Sequence, residues 1–322
     1  MMYPTKLIPE TKDYLWGGSR LKEEFGIVSE EKILAEAWML SCNPAGESII
    51  AEGALKGIPL RQALFGKAEE ALGKKNPVSS FFPILIKLID AQKALSIQVH
   101  PSDGYAMEIE GGFGKTEMWY VLDAKEDAFL YYGFCAPVSK DEMKKRIENN
   151  TITEVLQKVP AKKGDTFFIQ AGTIHAIGEG IVIAEVQQNS DTTYRVYDFD
   201  RVGTDGKKRE LHVEKALDVI RTDLGGSAYR PEEKVFSGYT MSELSSCDYF
   251  TVEKFSVSTF STLVCGEESF VSLLFTEGAG ELSFSNASYA PISVKKGDSV
   301  FLPAGTGEYT VKGSCEFLRS FC

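Results

Sequence analysis

Only three histidines occur in the 322 residues, and two of them fall where they could serve a metal. His100 ends the run "ALSIQVH" (94–100), in which a period of two puts Ser96, Gln98 and His100 on one face of a strand. Glu117 opens a second strand-like run, "EMWYVLDA" (117–124), and shares a face with Trp119, an odd place for a carboxylate if that face looks into a barrel. His175 lies in "KKGDTFFIQAGTIHAIG" (162–178). Two imidazoles, one carboxylate and the amide oxygen of Gln98 form a donor set that suits Zn²⁺ with one position left open, and suits iron or manganese as well. His212 falls in a helical stretch after these strands, where a capping or surface role is expected.

Holding such a set together requires a scaffold of short strands. Runs rich in aromatic and β-branched residues recur at 94–100, 117–124, 127–134, 165–170, 180–188 and 192–199, separated by Gly or Pro turns. That spacing suggests a sandwich or barrel. Helical stretches interrupt it. "IPLRQALFGKAEEALG" (58–73) has apolar residues at helical spacing, and "ELHVEKALDVIRT" (210–222) follows the first β block. In the region 139–158, Ser139 precedes Glu142 by three and Thr151 precedes Glu154 by three, the spacing of the capping box.

The phrase around His175 returns 133 residues later as "KKGDSVFLPAGTGEYTV" (295–311), with Glu308 in the histidine's place. Two copies of one β unit are expected. The first copy is similar to the second signature of the cupin barrels, through Gly164, Gln170, Gly172 and His175, with Gln170 where proline is usual. The second copy keeps the proline as Pro303 and lacks the histidine. The expected fold is therefore mainly β: two cupin (jelly-roll β-barrel) units with helical insertions. We expect a metal-binding catalytic unit over 1–230, with insertions at about 58–73, 139–158 and 210–222. After the linker "GGSAYRPEEK" (225–234), a smaller degenerate unit is expected over 235–322.

Composition narrows the function classes. Apolar residues at 43% and charged residues at 25% are ordinary globular values, which excludes a disordered or fibrous chain. Thirty-five basic against 46 acidic residues leave a net charge of −11, which repels nucleic acid and anionic membrane. An anionic substrate must then be met by a local basic pocket. The greasiest stretch, "FFPILIKLID" (81–90), is shorter than the roughly 18 residues of a membrane helix. The N-terminal segment lacks the basic-then-apolar order of a secretory signal, so a cytoplasmic protein is expected. Six scattered cysteines without paired spacing read as reduced thiols. No obligate protein partner is inferred.

A wider resemblance covers Trp16 to Arg201. "WGG", "AEAWMLS", "FPILIKLIDAQKALSIQVHP", "GKTEMWYVL" and "QAGTIHAIGEGIVIAEVQQNSDTTYRVYDFDR" resemble the type I mannose-6-phosphate isomerases, in particular their short bacterial branch. The resemblance implies one zinc ion per chain on His100, Glu117 and His175, with Gln98 as fourth ligand or close neighbour. It implies Arg195 as catalytic and Lys115 as a candidate for substrate contact or proton relay. Lys87 and Arg201 fall in motif segments nearby and are candidate substrate-binding cations. One departure lies before Lys115, where "GGFGKTEM" stands in place of the asparagine, histidine, lysine and proline of longer members.

The implied reaction interconverts mannose 6-phosphate and fructose 6-phosphate, moving a proton between C1 and C2 through an enediol. It needs a Lewis acid, a base and an anion clamp. The sequence leaves the base open among metal-bound hydroxide, Lys115, Glu185 and Asp198. Two other classes share the donor set. A cupin Fe(II) oxygenase would use the same histidines and glutamate but gives no role to "NSDTTYRVYDFDR". A non-catalytic sugar or metal sensor would need an output surface that is not visible in the sequence.

Overall fold

The computed structural model describes residues 2–76, 82–203, 206–223 and 225–322. Its N-terminal part is built on two facing antiparallel sheets. One has six strands in the order Thr166–Ile169, Glu117–Ala124, Ile181–Gln188, Ile84–Ala91, Glu36–Leu40 and Glu10–Lys12. The other has five: Leu156–Pro160, Phe129–Phe134, His175–Ile177, Ile97–Val99 and Tyr194–Tyr197. Between them lies an apolar core that includes Trp16, Ile89, Trp119, Leu130, Phe167 and Ile177.

The central strands of the six-stranded sheet are covered on both faces, which is why they read as unbroken apolar runs. In Ile84–Ala91 the even positions Ile84, Ile86 and Leu88 pack outward, while Ile89 and Ala91 pack inward. Lys87 shares the inward parity and is buried. The first residue of the "FFPILIKLID" run, Phe81, lies outside the described residues. The far side of the five-stranded sheet is covered by helices Lys140–Glu148 and Val213–Val219, through Met143, Ile147, Ala216 and Leu217.

The helical stretches are shorter than the sequence suggests. Region 58–73 breaks into helices Leu60–Leu64 and Ala68–Leu72, separated at Gly66 with φ +72°. In 139–158 Ser139 caps the first helix, its Oγ accepting from Glu142 N at 3.1 Å. Thr151 makes no such cap: Ile152–Glu154 is a single 3₁₀ turn, and Leu156–Pro160 is a strand paired with Phe129–Phe134. Pairing at the sheet edge overrides local helix preference there.

A ten-stranded sheet makes up the C-terminal part, packed around Phe255, Phe275, Tyr309 and Phe317. It also takes in the chain's first strand. Thr5–Ile8 pairs with Ser299–Leu302 on one side and Ile49–Ile50 on the other. Where the two parts meet, outward residues Met118, Tyr120 and Val182 pack with Phe250, Phe270 and Phe301. Burying one such aromatic contributes about 1.5–3 kcal/mol.

The repeated phrase is the same turn twice. Gly164 and Gly297 take φ +89° and +88°, and Asp165 and Asp298 each accept the backbone N–H three residues back, at 2.8 and 2.9 Å. The left-handed backbone explains the glycine, and the carboxylate explains the aspartate. The copies part at the strand that follows. His175 is fully buried, whereas Glu308 is exposed and its neighbour Tyr309 takes the interior position. Among the described residues no helix is long and apolar enough to cross a membrane.

Candidate active site and metal centre

Strand register brings the predicted residues into two rows. On the five-stranded sheet His175 pairs with Gln98, and Gln98 pairs with Arg195, so three neighbouring strands carry one row across the sheet. On the facing sheet Trp38, Lys87, Glu185, Trp119 and Phe167 pair in succession. Glu117 lies two residues before Trp119 on the same face, paired with Gln187. Directly opposed residues share a face, so both rows look into the space between the sheets.

His100, Glu117 and His175 meet there, all buried, with their candidate ligand atoms within 4.8 Å of one another. Glu117 Oε2 is 3.6 Å from His100 Nε2, and Glu117 Oε1 is 3.4 Å from His175 Nε2. Each ring is oriented from behind. His100 Nδ1 lies 2.9 Å from Thr192 O, and His175 Nδ1 lies 2.9 Å from Thr173 O. A carbonyl only accepts, so Nδ1 carries the proton of each neutral ring and Nε2 offers its lone pair inward. Burial, and behind it the charge of Lys115, holds His100 well below the usual histidine range and lowers His175 to about 4. Both rings are thus neutral at ordinary pH, the form that ligates metals.

The polar atoms themselves support an ion. His175 Nε2 and both Glu117 oxygens are buried and accept no hydrogen bond of good geometry, although Lys115 Nζ stands 2.7 Å from Glu117 Oε2 as an ion pair. Buried polar atoms left this way are costly unless something else satisfies them. A divalent cation suits the set of two imidazole nitrogens and a carboxylate. Gln98 borders the same space, its Oε1 accepting from Ser96 Oγ at 3.2 Å.

A cleft of about 290 Å³ opens beside this group, lined by Gln98, Lys115, Lys87, Glu185, Arg195 and Arg209 among others. Lys87 Nζ sits 3.4 Å from Glu36 Oε2 and 3.5 Å from Glu185 Oε1. Burial works against its charge, but Glu36 and Glu185 outweigh burial and raise its pKa, so it stays an ammonium. Trp38 helps hold this arrangement, with its ring 5.1 Å from Lys87 Nζ and its Nε1 donating to Glu36 at 2.7 Å. Glu185 accepts from Trp119 Nε1 at 2.8 Å. Burial raises Glu117, and the neighbouring Glu185 charge adds to the rise. Glu185 itself is buried, but Lys115, Lys87 and Trp119 lower it.

Arg195 reaches the cleft from the strand edge. Its backbone is pinned by His212, whose Nδ1 accepts from Arg195 N at 3.3 Å and whose N donates to Arg195 O at 2.7 Å. His212 precedes helix Val213–Val219 without a side-chain cap, so its place is behind Arg195. Arg201 is not brought to the cleft. Its guanidinium binds Asp198 and the Ala94 carbonyl and lies 5.5 Å from the Phe199 ring. Asp198 in turn is held by Arg201 and Arg209 together and is kept below the usual aspartate range by them despite its burial. The cleft residues that sequence reasoning missed include Glu36 and Arg209. Glu36 carries a visible signal, since it shares inward parity with Trp38. Arg209 carries none, because "GKKRE" reads as a solvated charged run.

Comparison with known proteins agrees with this geometry. Residues 5–126 match the model of the phosphomannose isomerase type I catalytic domain, and residues 240–322 match that of the mannose-6-phosphate isomerase cupin domain. The mannose-6-phosphate isomerase of Streptococcus mutans is 39% identical over 320 residues, covering 99% of this chain and 98% of that protein. The Bacillus subtilis mannose-6-phosphate isomerase ManA is 36% identical over 97% of this chain and 96% of its own. A crystal structure of the Bacillus subtilis mannose 6-phosphate isomerase superposes with a TM-score of 0.91 at 36% identity, covering 99% of both chains. Phosphomannose isomerase variants from Salmonella typhimurium share the fold, with a TM-score of 0.78 at 18% identity. With its paired sheets, its buried His–Glu–His group and full-length relatives of this one kind, the chain belongs to the type I mannose-6-phosphate isomerases.

Proposed function

We propose that the protein interconverts mannose 6-phosphate and fructose 6-phosphate, using one zinc ion held by His100, Glu117 and His175 with Gln98 as a fourth ligand or close neighbour. The observation that carries this reading is the buried group of two neutral imidazoles and a carboxylate at the end of a cleft bearing Lys87, Lys115 and Arg195. Two nitrogens and a carboxylate oxygen suit zinc with an open position. When bound there, the ion supplies a Lewis acid for the oxygens on C1 and C2.

The chain's own groups do the rest. Lys115 Nζ lies 3.2 Å from His100 Nε2 and 2.7 Å from Glu117 Oε2, so it stands at the metal group. It is the side chain best placed to move or hold a proton near C1 and C2, a role worth roughly 10²- to 10⁴-fold in rate. Glu185 is held as a carboxylate by Lys87 and Trp119 and serves Lys115 from the other side at 3.8 Å. Arg195, fixed to the row of His175 and Gln98, supports negative charge on the substrate along the cleft. Lys87 lines the wall as a permanent cation. Asp198 is tied up by two guanidiniums and is a poor candidate for the base.

The test is a coupled assay of mannose 6-phosphate conversion, run on the purified protein, after chelation, and after zinc is restored. Activity lost with chelation and regained with zinc is expected. Stoichiometric zinc with no isomerisation would overturn the reading and favour another sugar phosphate.

A further inference from the structure

The cleft is lined by four cations, Lys87, Lys115, Arg195 and Arg209, and three of them have an acidic partner. Lys87 sits between Glu36 and Glu185, and Lys115 sits on Glu117. Arg195 makes no ion pair among the described residues. Its Nε donates to Ser96 Oγ at 3.3 Å and its Nη1 to Glu210 O at 2.9 Å, both neutral acceptors, which leaves Nη2 unused. Arg209 spends Nε and Nη2 on Asp198, and its Nη1 has no hydrogen-bond partner among the described residues. The two guanidiniums border the same cleft, along with Tyr14, Asp191 and Thr193. They are close enough that, after burial, the charge of Arg209 is the largest influence lowering the pKa of Arg195. Two like charges facing one cavity are unfavourable until an anion lies between them.

Position favours one end of the substrate. Arg195 is two strands away from His175, about 10 Å at the usual strand spacing. Arg209 and Tyr14 also line a surface groove of about 380 Å³ that includes Asp13, Glu31 and Lys32, so they mark the mouth of the cleft. A sugar whose C1 and C2 reach the metal group would leave its far, most hydrated end at that mouth. A guanidinium with a free amino group is well shaped for a phosphate oxygen.

We infer that the phosphate of the substrate is anchored by Arg209, in the space it shares with Arg195, and that Asp198 is the positioning residue that aims Arg209 by taking its Nε and Nη2. This rests on the aldose–ketose isomerase reading above. It assigns the anion clamp to a residue in an unremarkable charged run, while Arg201, the cation within the recognised motif, serves Asp198 from the other side.

The test compares wild type, Arg209→Ala and Arg209→Lys, with Arg221→Ala as a surface control. Steady-state kinetics with mannose 6-phosphate are combined with calorimetric titration of inorganic phosphate. Arg209→Ala should raise KM and weaken phosphate binding about tenfold or more, with a much smaller effect on kcat. Arg209→Lys keeps the charge without the fork and should fall between, which also covers the case in which the alanine variant does not fold. Phosphate affinity and KM within about twofold of wild type in the folded variants would overturn the proposal. A wild type that binds phosphate through Arg209 but does not isomerise would instead sink the isomerase reading and leave the anion site standing.

Discussion

Lys115 and Glu117, two residues apart, point into the same space: Lys115 Nζ lies 2.7 Å from Glu117 Oε2, on the carboxylate that also faces both histidines. The lysine is therefore beside the metal group without belonging to it. Replacing Lys115 by Met keeps length and burial but removes the charge. The variant should retain bound metal, since His100, Glu117 and His175 remain, while kcat falls roughly 10²- to 10⁴-fold. Metal analysis and turnover on one preparation check this, and a kcat near wild type would remove Lys115 from the chemistry.

The repeated turn offers a paired control. His175→Ala takes a buried ligand atom out of the group of three and should lose metal and activity together. Glu308→Ala alters an exposed side chain at the aligned sequence position of the second copy and should leave both near wild type. Equal metal content in the two variants would contradict the assignment.

Arg195→Ala should separate binding from turnover. Its side chain touches none of the three metal-ligand candidates, so metal content should persist while kcat drops by at least about tenfold. Unchanged turnover would leave it a structural arginine.

Asp198 gives a pH signature in stability. Arg209 and Arg201 hold its pKa below the ordinary 3.8, despite burial. A depressed carboxylate contributes stability that is complete above the unfolded value and fades as pH falls through the lower folded value. Asp198→Asn should cost about 1–3 kcal/mol at pH 7, and the gap from wild type should close as the pH drops below 3.8. Urea melts at several pH values measure it. A gap that stays constant through the acid range would show that the charge of Asp198 contributes nothing.

Much of the site was legible because strand periodicity is simple. A period of two put Gln98 with His100 and Glu117 with Trp119, and the structure keeps both pairs facing inward. Other parts depended on contacts that no local pattern records. Aligning the repeats places Glu308 in the position of His175, but the chain runs one residue out of step after the second turn and Tyr309 takes the interior. Thr151 and Glu154 have capping-box spacing, but the segment after them is drawn into a sheet edge. Arg209 needed the fold itself, since only packing shows which member of a charged run reaches a cleft.

The pairing of Thr5–Ile8 with Ser299–Leu302 also bears on how the chain is made. Thr5–Ile8 leaves the ribosome long before the strand it pairs with. A contact between segments so far apart in sequence adds to contact order and delays completion of the fold. Until Ser299–Leu302 emerges, Thr5–Ile8 exposes an unsatisfied edge, a window in which a nascent chain is open to aggregation.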